Sequence, residues 1–214
     1  MARRSYNQLC GLAAALDVTS QRWAMLIVRD LVPGPRRFTD LFEGLPGVST
    51  DILAQRLREL DDAGAIRKIE LRDPAPVTLY ELTERGRELA TIGAQLARWG
   101  MPLLQGADRG QLHSNPRWAL QSIASRCASS LPEGVAEGYV EFVIDGSTDL
   151  SLALTPAGAS IRYGRADEAP IARVECTSDA FFAALARPGS AADTPDFEVD
   201  GDLTTVQALL GALR

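Results

Sequence analysis

Between Ser49 and Gly64 the chain carries a helix signal with both ends marked. Leu53, Leu57 and Leu60 fall on one side of a 3.6-residue helix. Ser49 stands at the N-cap position, and Gly64 stands just past the stripe, where a C′ residue closes a helix. Upstream, Phe38, Leu41, Phe42 and Leu45 repeat at i, i+3, i+4 and i+7 and predict a short helix. Glu43-Gly44-Leu45-Pro46-Gly47-Val48 forms a tight connection between the two. A short helix, a Gly-containing turn and a longer amphipathic helix make a helix-turn-helix. Ala65–Leu71 and Val77–Leu82 follow as two strands around the turn 72–76, which reads as a wing.

The remaining N-terminal segments frame this unit. Gln8–Leu16 has helical spacing. Thr19 or Ser20 is placed to cap a second helix through Trp23, Leu26, Ile27 and Leu31, which Pro33 and Gly34 end. Thr83 caps a last helix to about Trp99, with Leu89, Ile92 and Leu96 expected inside. Composition changes near Leu104, and residues 105–116, rich in Gly, Asn and Pro, read as a linker. Residues 1–104 and 117–214 are then the expected domains, and the 214-residue length allows two of about 100 residues each.

In the second half, residues 117–130 predict a helix with Trp118, Ile123 and Cys127 in its apolar set. Strands are expected at Gly138–Asp145, Asp149–Thr155, Ser160–Arg165 and Ile171–Cys176, with Asp145-Gly146 and Pro156–Gly158 as turns. The alternations Val140, Phe142, Ile144 and Leu150, Leu152, Leu154 describe a sheet with one buried face. Ser178 is expected to cap Asp179–Arg187, and a short strand at 197–202 leads into a final helix, Leu203–Leu213. The fold class is α+β: a winged helix-turn-helix, then helices over one face of a largely antiparallel sheet.

The formal charge of −6 looks unfavourable for binding a polyanion, but it is unevenly spread. Residues 1–105 hold 14 Arg and Lys against 13 Asp and Glu, whereas residues 106–214 hold 8 against 15. Attraction to phosphate follows the local field rather than the total. Nearly every cation is Arg, which suits phosphate and guanine, although a GC-rich genome produces the same bias.

On a helical wheel of residues 50–62 the leucines face inward, Asp51, Gln55, Arg58 and Asp62 lie opposite, and Arg56 and Glu59 flank them. The first turn of a recognition helix reaches base edges while its neighbours grip phosphates. Ser49, Thr50, Asp51 and Gln55 are thus candidates at the base-reading end, and Arg56 and Arg58 for phosphate or guanine. Arg36 and Arg37 are placed to clamp the backbone, and Arg67, Lys68 and Arg72 lie on the wing. For one isolated helix, a plain solvated face is the better explanation. The ordered helix-turn-helix with its wing shifts the balance to duplex DNA.

Residues 5–100 resemble the HxlR-type winged-helix regulators, relatives of the MarR group. The resemblance rests on Tyr6-Asn7-Gln8 with Cys10, on Arg22-Trp23 with Leu26-Ile27, and on Arg36-Arg37-Phe38-Thr39-Asp40-Leu41. It continues through Pro46–Leu60 and Tyr80-Glu81-Leu82-Thr83-Glu84-Arg85-Gly86. It implies a homodimer held by the first and last helices, here Gln8–Leu16 and Gly86–Trp99. The two recognition helices would enter major grooves about one turn apart on a pseudo-palindrome. One departure is the hairpin tip Asp73–Pro76, which carries no basic residue and argues against deep minor-groove insertion. Cys10 falls where several family members carry a cysteine that senses oxidants or electrophiles. The plainer alternative, slightly favoured, is a small buried residue on the first helix. Trp23 and Trp99 read as core or dimer-seam aromatics.

Residues 115–214 resemble the sterol-carrier-protein-2-like fold, through Ala172–Leu185, Val199-Asp200-Gly201-Asp202 and the closing helix. The resemblance implies an effector-binding or dimer-stabilising module with an apolar tunnel. Trp118, Phe142, Phe181, Phe182, Leu209 and Leu210 are the candidate lining residues; an ordinary closed core is the alternative for each.

No chemistry competes with these readings. The single histidine, His113, rules out a His-pair metal site, three scattered cysteines rule out a disulfide framework, and no nucleophile-elbow or phosphate-loop motif occurs. No catalytic, cofactor or metal role is expected, and no signal peptide or membrane span, so the expected location is the cytoplasm. The leading expectation is a repressor whose DNA affinity a small apolar effector modulates. The alternatives are a regulator switched by a thiol at Cys10 with a purely structural C-terminal domain, and a lipid or small-molecule carrier.

Overall fold

In the computed structural model, which describes residues 5–72, 76–104 and 112–213, the chain divides into two units, one up to residue 108 and one from residue 109. The first unit runs α1 (Gly11–Thr19), α2 (Ala24–Leu31), β1 (Arg36–Arg37), α3 (Phe38–Gly44), α4 (Thr50–Asp62), β2 (Ile66–Leu71), β3 (Val77–Leu82) and α5 (Glu84–Gly100), which ends in a 3₁₀ turn at Met101–Leu104. The leucine stripe of α4 is wholly buried and joins Ile27, Val28 and Leu31 of α2, Leu41 of α3, and Ile66 and Leu82 of the wing. A fully buried side chain of this kind contributes roughly 1.5–3 kcal/mol, so the stripe is what fixes α4 in place.

The wing is a three-stranded antiparallel sheet, β1–β3–β2. Its third strand was not legible: Arg36 and Arg37 pair with Tyr80 and Leu79 for two residues only, before α3 begins. Residues 73–75 at the hairpin tip lie outside the described residues. Gly86 lets α5 cross the wing closely, because a Cβ there would stand 1.9 Å from the Ala65 carbonyl oxygen. Thr83 caps α5 as expected, its Oγ1 accepting from the Gly86 amide at 3.0 Å.

Three local expectations for the first unit are corrected here. The first helix starts at Gly11, with Cys10 as its N-cap. Neither Thr19 nor Ser20 caps the next helix: their hydroxyls donate back to the Ala15 and Leu16 carbonyls at 2.9 and 2.6 Å. This is the i→i−4 bond that competes with capping. Trp23 holds the cap position instead, at φ 80°. Of the α5 stripe, Leu89 packs on the core, but Ile92 and Leu96 are 58% and 55% exposed and Trp99 is 70% exposed.

The second unit runs α6 (Pro116–Arg126), β4 (Gly138–Ile144), β5 (Ser147–Thr155), β6 (Gly158–Tyr163), β7 (Ala172–Cys176), α7 (Ser178–Ala186), a 3₁₀ segment (Pro188–Asp193), β8 (Phe197–Gly201) and α8 (Leu203–Gly211). The helix α6 begins within the stretch read as a linker, with Pro116 at N1 and the Asn115 side chain accepting from the Arg117 amide. Its sheet has the order β6-β5-β4-β7-β8. The pair β4–β7 is parallel and the other three are antiparallel. Asp145 and Gly146, both at positive φ, form the two-residue turn between β4 and β5. The expected alternating residues of β4 and β5 are buried against α6, α7 and α8 in one cluster. Thr177, not Ser178, caps α7 by accepting from the Ala180 amide; the Ser178 hydroxyl is turned to Asp145 at 2.6 Å. No helix among the described residues is long and apolar enough to cross a membrane.

Candidate nucleic-acid interface

Ser49 starts the candidate helix by accepting from the Ile52 amide at 3.3 Å. With the leucines turned inward, Thr50, Asp51, Ile52, Arg58 and Asp62 are exposed on the other side of α4. Gln55 and Arg56 are half-buried and share one partner. Gln55 Nε2 donates to Glu59 Oε1 at 3.0 Å, and the Arg56 guanidinium pairs with Glu59 Oε2. Glu59 therefore engages two of the expected contact residues within the protein. Arg58 is exposed and makes no ion pair among the described residues.

The other basic candidates are held to different degrees. Arg36 is half-buried: its Nη2 donates to the Asp40 carbonyl at 3.2 Å, and its Nε lies 3.8 Å from the Asp40 carboxylate. Arg37 is exposed, and its backbone N–H donates to Asp40 Oδ2 at 3.1 Å, which fixes the start of α3. Arg67 crosses the wing to Glu81, its register partner, at 2.5 Å. Lys68 and Arg72 are exposed on β2 and just beyond it. The candidates thus belong to one unit, but those open to a ligand are Thr50, Asp51 and Arg58 on α4, with Arg37, Lys68 and Arg72 outside it. Ile52, exposed on the first turn of α4, was missed because an apolar residue next to a leucine stripe reads as core.

Cys10 is exposed, against the buried position favoured from sequence. At the α1 N-terminus it faces the amides of Ala13 and Leu12, which hold its thiol below the usual range without forming a cap hydrogen bond. Cys127 and Cys176 are buried; burial raises both, Cys176 to about 12. Around Cys10 the first unit exposes Leu9 and Leu12, and along α5 and its 3₁₀ turn Ile92, Leu96, Trp99 and Leu103. Sequence periodicity assigned part of this stripe to a core the single chain does not provide.

Of the six proposed tunnel residues, Phe142, Phe181, Leu209 and Leu210 are wholly buried in one continuous cluster. Phe142 and Phe181 meet edge-to-face at 6.2 Å, and Phe181 and Phe182 at 5.6 Å. Trp118 and Phe182 are half-buried. Among the described residues, no group of three or more His, Cys, Asp or Glu is placed to hold a metal ion.

This geometry can be set beside known proteins. Residues 18–108 match the family described as HxlR-like helix-turn-helix. The HTH-type transcriptional regulator YvaP of Bacillus subtilis (strain 168) is 36% identical over 86 residues, covering 40% of this chain and 79% of YvaP. The chain belongs to the HxlR-like helix-turn-helix family. Its relatives there also include the HTH-type transcriptional regulator YodB of the same organism, 29% identical over 103 residues, covering 48% of this chain and 92% of YodB. The solved reduced form of YodB matches 47% of this chain and all of that chain, with 28% identity and a TM-score of 0.42. The protein is accordingly a transcription regulator of the HxlR family, and its residues 109–214 lie outside the family match.

Proposed function

We propose that this HxlR-family regulator binds a pseudo-palindromic DNA duplex as a homodimer and acts as a repressor. In this reading α4 lies in the major groove. The observation that carries it is the outer side of α4: a capped helix, fixed by three wholly buried leucines, that presents Thr50, Asp51 and Arg58 outward. Thr50 and Asp51 stand on its first turn, where base edges are reached, and Asp can accept from a cytosine amino group. Arg58, with Arg37, Lys68 and Arg72, supplies cations for phosphate. The exposed large apolar side chains Leu9 and Leu12, and Ile92, Leu96 and Trp99 of α5, support the dimer, since clustered exposed apolar residues mark interfaces. Selection of duplexes from fragmented genomic DNA, followed by fluorescence anisotropy across a salt series, tests the proposal. A retained duplex bound with a steep salt dependence is expected; absence of any retained duplex overturns it.

The second unit is the natural seat of an effector, acting by binding the DNA-competent and incompetent dimers unequally. A sterol-carrier-protein-2-like reading is supported by the layer of α6, α7 and α8 over one face of the sheet. An apolar effector there must part the Phe142–Phe181–Phe182 cluster to enter. A second reading, a thiol switch at Cys10, is favoured by one specific observation: the thiol is exposed at a helix N-terminus that stabilises the thiolate.

A further inference from the structure

The sheet of the second unit has one apolar face, packed against the helices. Its opposite face carries a polar row that crosses all five strands. Arg162, Ser151, Glu141, Arg173 and Asp200 are successive register partners from β6 to β8. Alternation along β4 puts Glu141 on the side away from Val140 and Phe142.

The row does not satisfy itself. Glu141 is only 4% exposed, and an ionised carboxylate held out of water needs partners. One oxygen, Oε1, accepts from the Ala166 amide at 3.0 Å. The other, Oε2, lies 3.7 Å from Arg173 Nη1, beyond hydrogen-bond length. The second Arg173 nitrogen, Nη2, lies 3.9 Å from Glu175. Beside Glu141 in the row, the Ser151 hydroxyl is buried and makes no hydrogen bond among the described residues. A carboxylate offers about four acceptor sites and a guanidinium five donors, so both charges retain unused capacity. An open cleft of about 460 Å³ contains this pair, with Arg165, Glu168, Pro170, Ile171 and Asp200 among its walls. That volume lies in the range of small-ligand sites, roughly 300–1,000 Å³.

A ligand that uses both charges must bring a cation to Glu141 and an anion to Arg173. Since the protein's two charges stand 3.7 Å apart, the ligand's own charges must be equally close. An α-amino acid carries its ammonium and carboxylate on one carbon and meets that requirement. A plain carboxylic acid leaves Glu141 unmatched; a plain amine leaves Arg173 unmatched. We propose that this cleft binds a free α-amino acid, its ammonium on Glu141, its carboxylate on Arg173, and its side chain along Pro170 and Ile171. Glu168 and Asp200 share the walls with Arg165, so the lining does not select the charge of the amino-acid side chain. Unlike an apolar effector, this ligand needs no opening of the core.

The full-length protein is titrated calorimetrically with each proteinogenic α-amino acid in turn, without DNA. The tightest binder is then repeated as its methyl ester and as its N-acetyl derivative. At least one amino acid is expected to bind with a Kd below about 1 mM, and each blocked derivative about tenfold or more weaker. Arg173→Gln is expected to weaken binding by a similar factor, about tenfold; because it also takes a cation from beside the buried Glu141, Tm is expected to fall, and binding is compared at a temperature where circular dichroism shows the native fold. Three results overturn the proposal: no saturation by any amino acid up to about 10 mM, equal binding of a blocked derivative, or undiminished binding by folded Arg173→Gln. If that variant does not fold, the blocked derivatives on the native protein still decide. Because no DNA is present, failure here is distinct from failure of the DNA-binding reading.

Discussion

Replacing Arg58 with Ala tests whether α4 meets phosphate as proposed. Arg58 is exposed and makes no ion pair among the described residues, whereas Arg56 is held by Glu59. Removing Arg58 therefore breaks nothing inside the protein, so fold stability is expected to stay within about 0.5 kcal/mol of native, as for ordinary surface changes. On DNA the loss is electrostatic. If each subunit places one Arg58 on a phosphate, the dimer loses two contacts, and the slope of log affinity against log salt becomes shallower by about 1.8. Between about 50 and 200 mM salt, that difference closes the affinity gap between native and variant by roughly tenfold. Fluorescence anisotropy on a genomically selected duplex at four salt concentrations measures both slopes. Parallel lines would refute the reasoning and remove Arg58 from the phosphate contacts. Arg56→Ala is the internal comparison. Its guanidinium is already neutralised by Glu59, so its change in slope is expected to be the smaller.

The other expectations concern the first unit. The depressed Cys10 pKa places more of that thiol as thiolate at neutral pH, so its alkylation is expected to titrate below a free model thiol, with one fast equivalent per chain. A midpoint equal to the model thiol, or fast reaction of the raised and buried Cys127 and Cys176 in the folded protein, would contradict this. Gly86→Ala forces a Cβ toward the Ala65 carbonyl; crowding of about 1–3 kcal/mol should outweigh the roughly 1 kcal/mol gained in helix propensity, and an unchanged or higher Tm would show the crossing is looser than described. Leu96→Glu and Trp99→Glu, on the exposed stripe, are expected to yield folded monomers by light scattering, and a persistent dimer would place the seam elsewhere.

Legibility from sequence followed locality. Ser49, Thr83 and the leucines of α4 act within one or two helical turns, so periodicity and capping chemistry were enough. Asp145-Gly146 was legible because a two-residue hairpin turn demands such residues. The failures came from partners distant in sequence or alternatives equal in energy. The pairing of Arg36 with Tyr80 is set across 44 positions, and two adjacent arginines carry no strand periodicity. Thr19 and Ser20 had a local choice between capping forward and bonding back, and composition does not decide it. Ile92 and Leu96 carry a true apolar period, but the period does not say which molecule covers it. At the candidate interface, residue types gave the candidate set, while the grip of Glu59 on Gln55 and Arg56 required rotamers. The polar row of the second unit was invisible, because it exists only once five strands are in register.

The central claim is that the outer side of α4 enters a DNA major groove, and methylation interference on a selected duplex tests it directly. Dimethyl sulfate marks guanine N7 in the major groove and adenine N3 in the minor groove. Interference at guanine N7 in two clusters about ten base pairs apart is the expected result. Interference confined to adenine N3, or none at either position on a bound duplex, would contradict it.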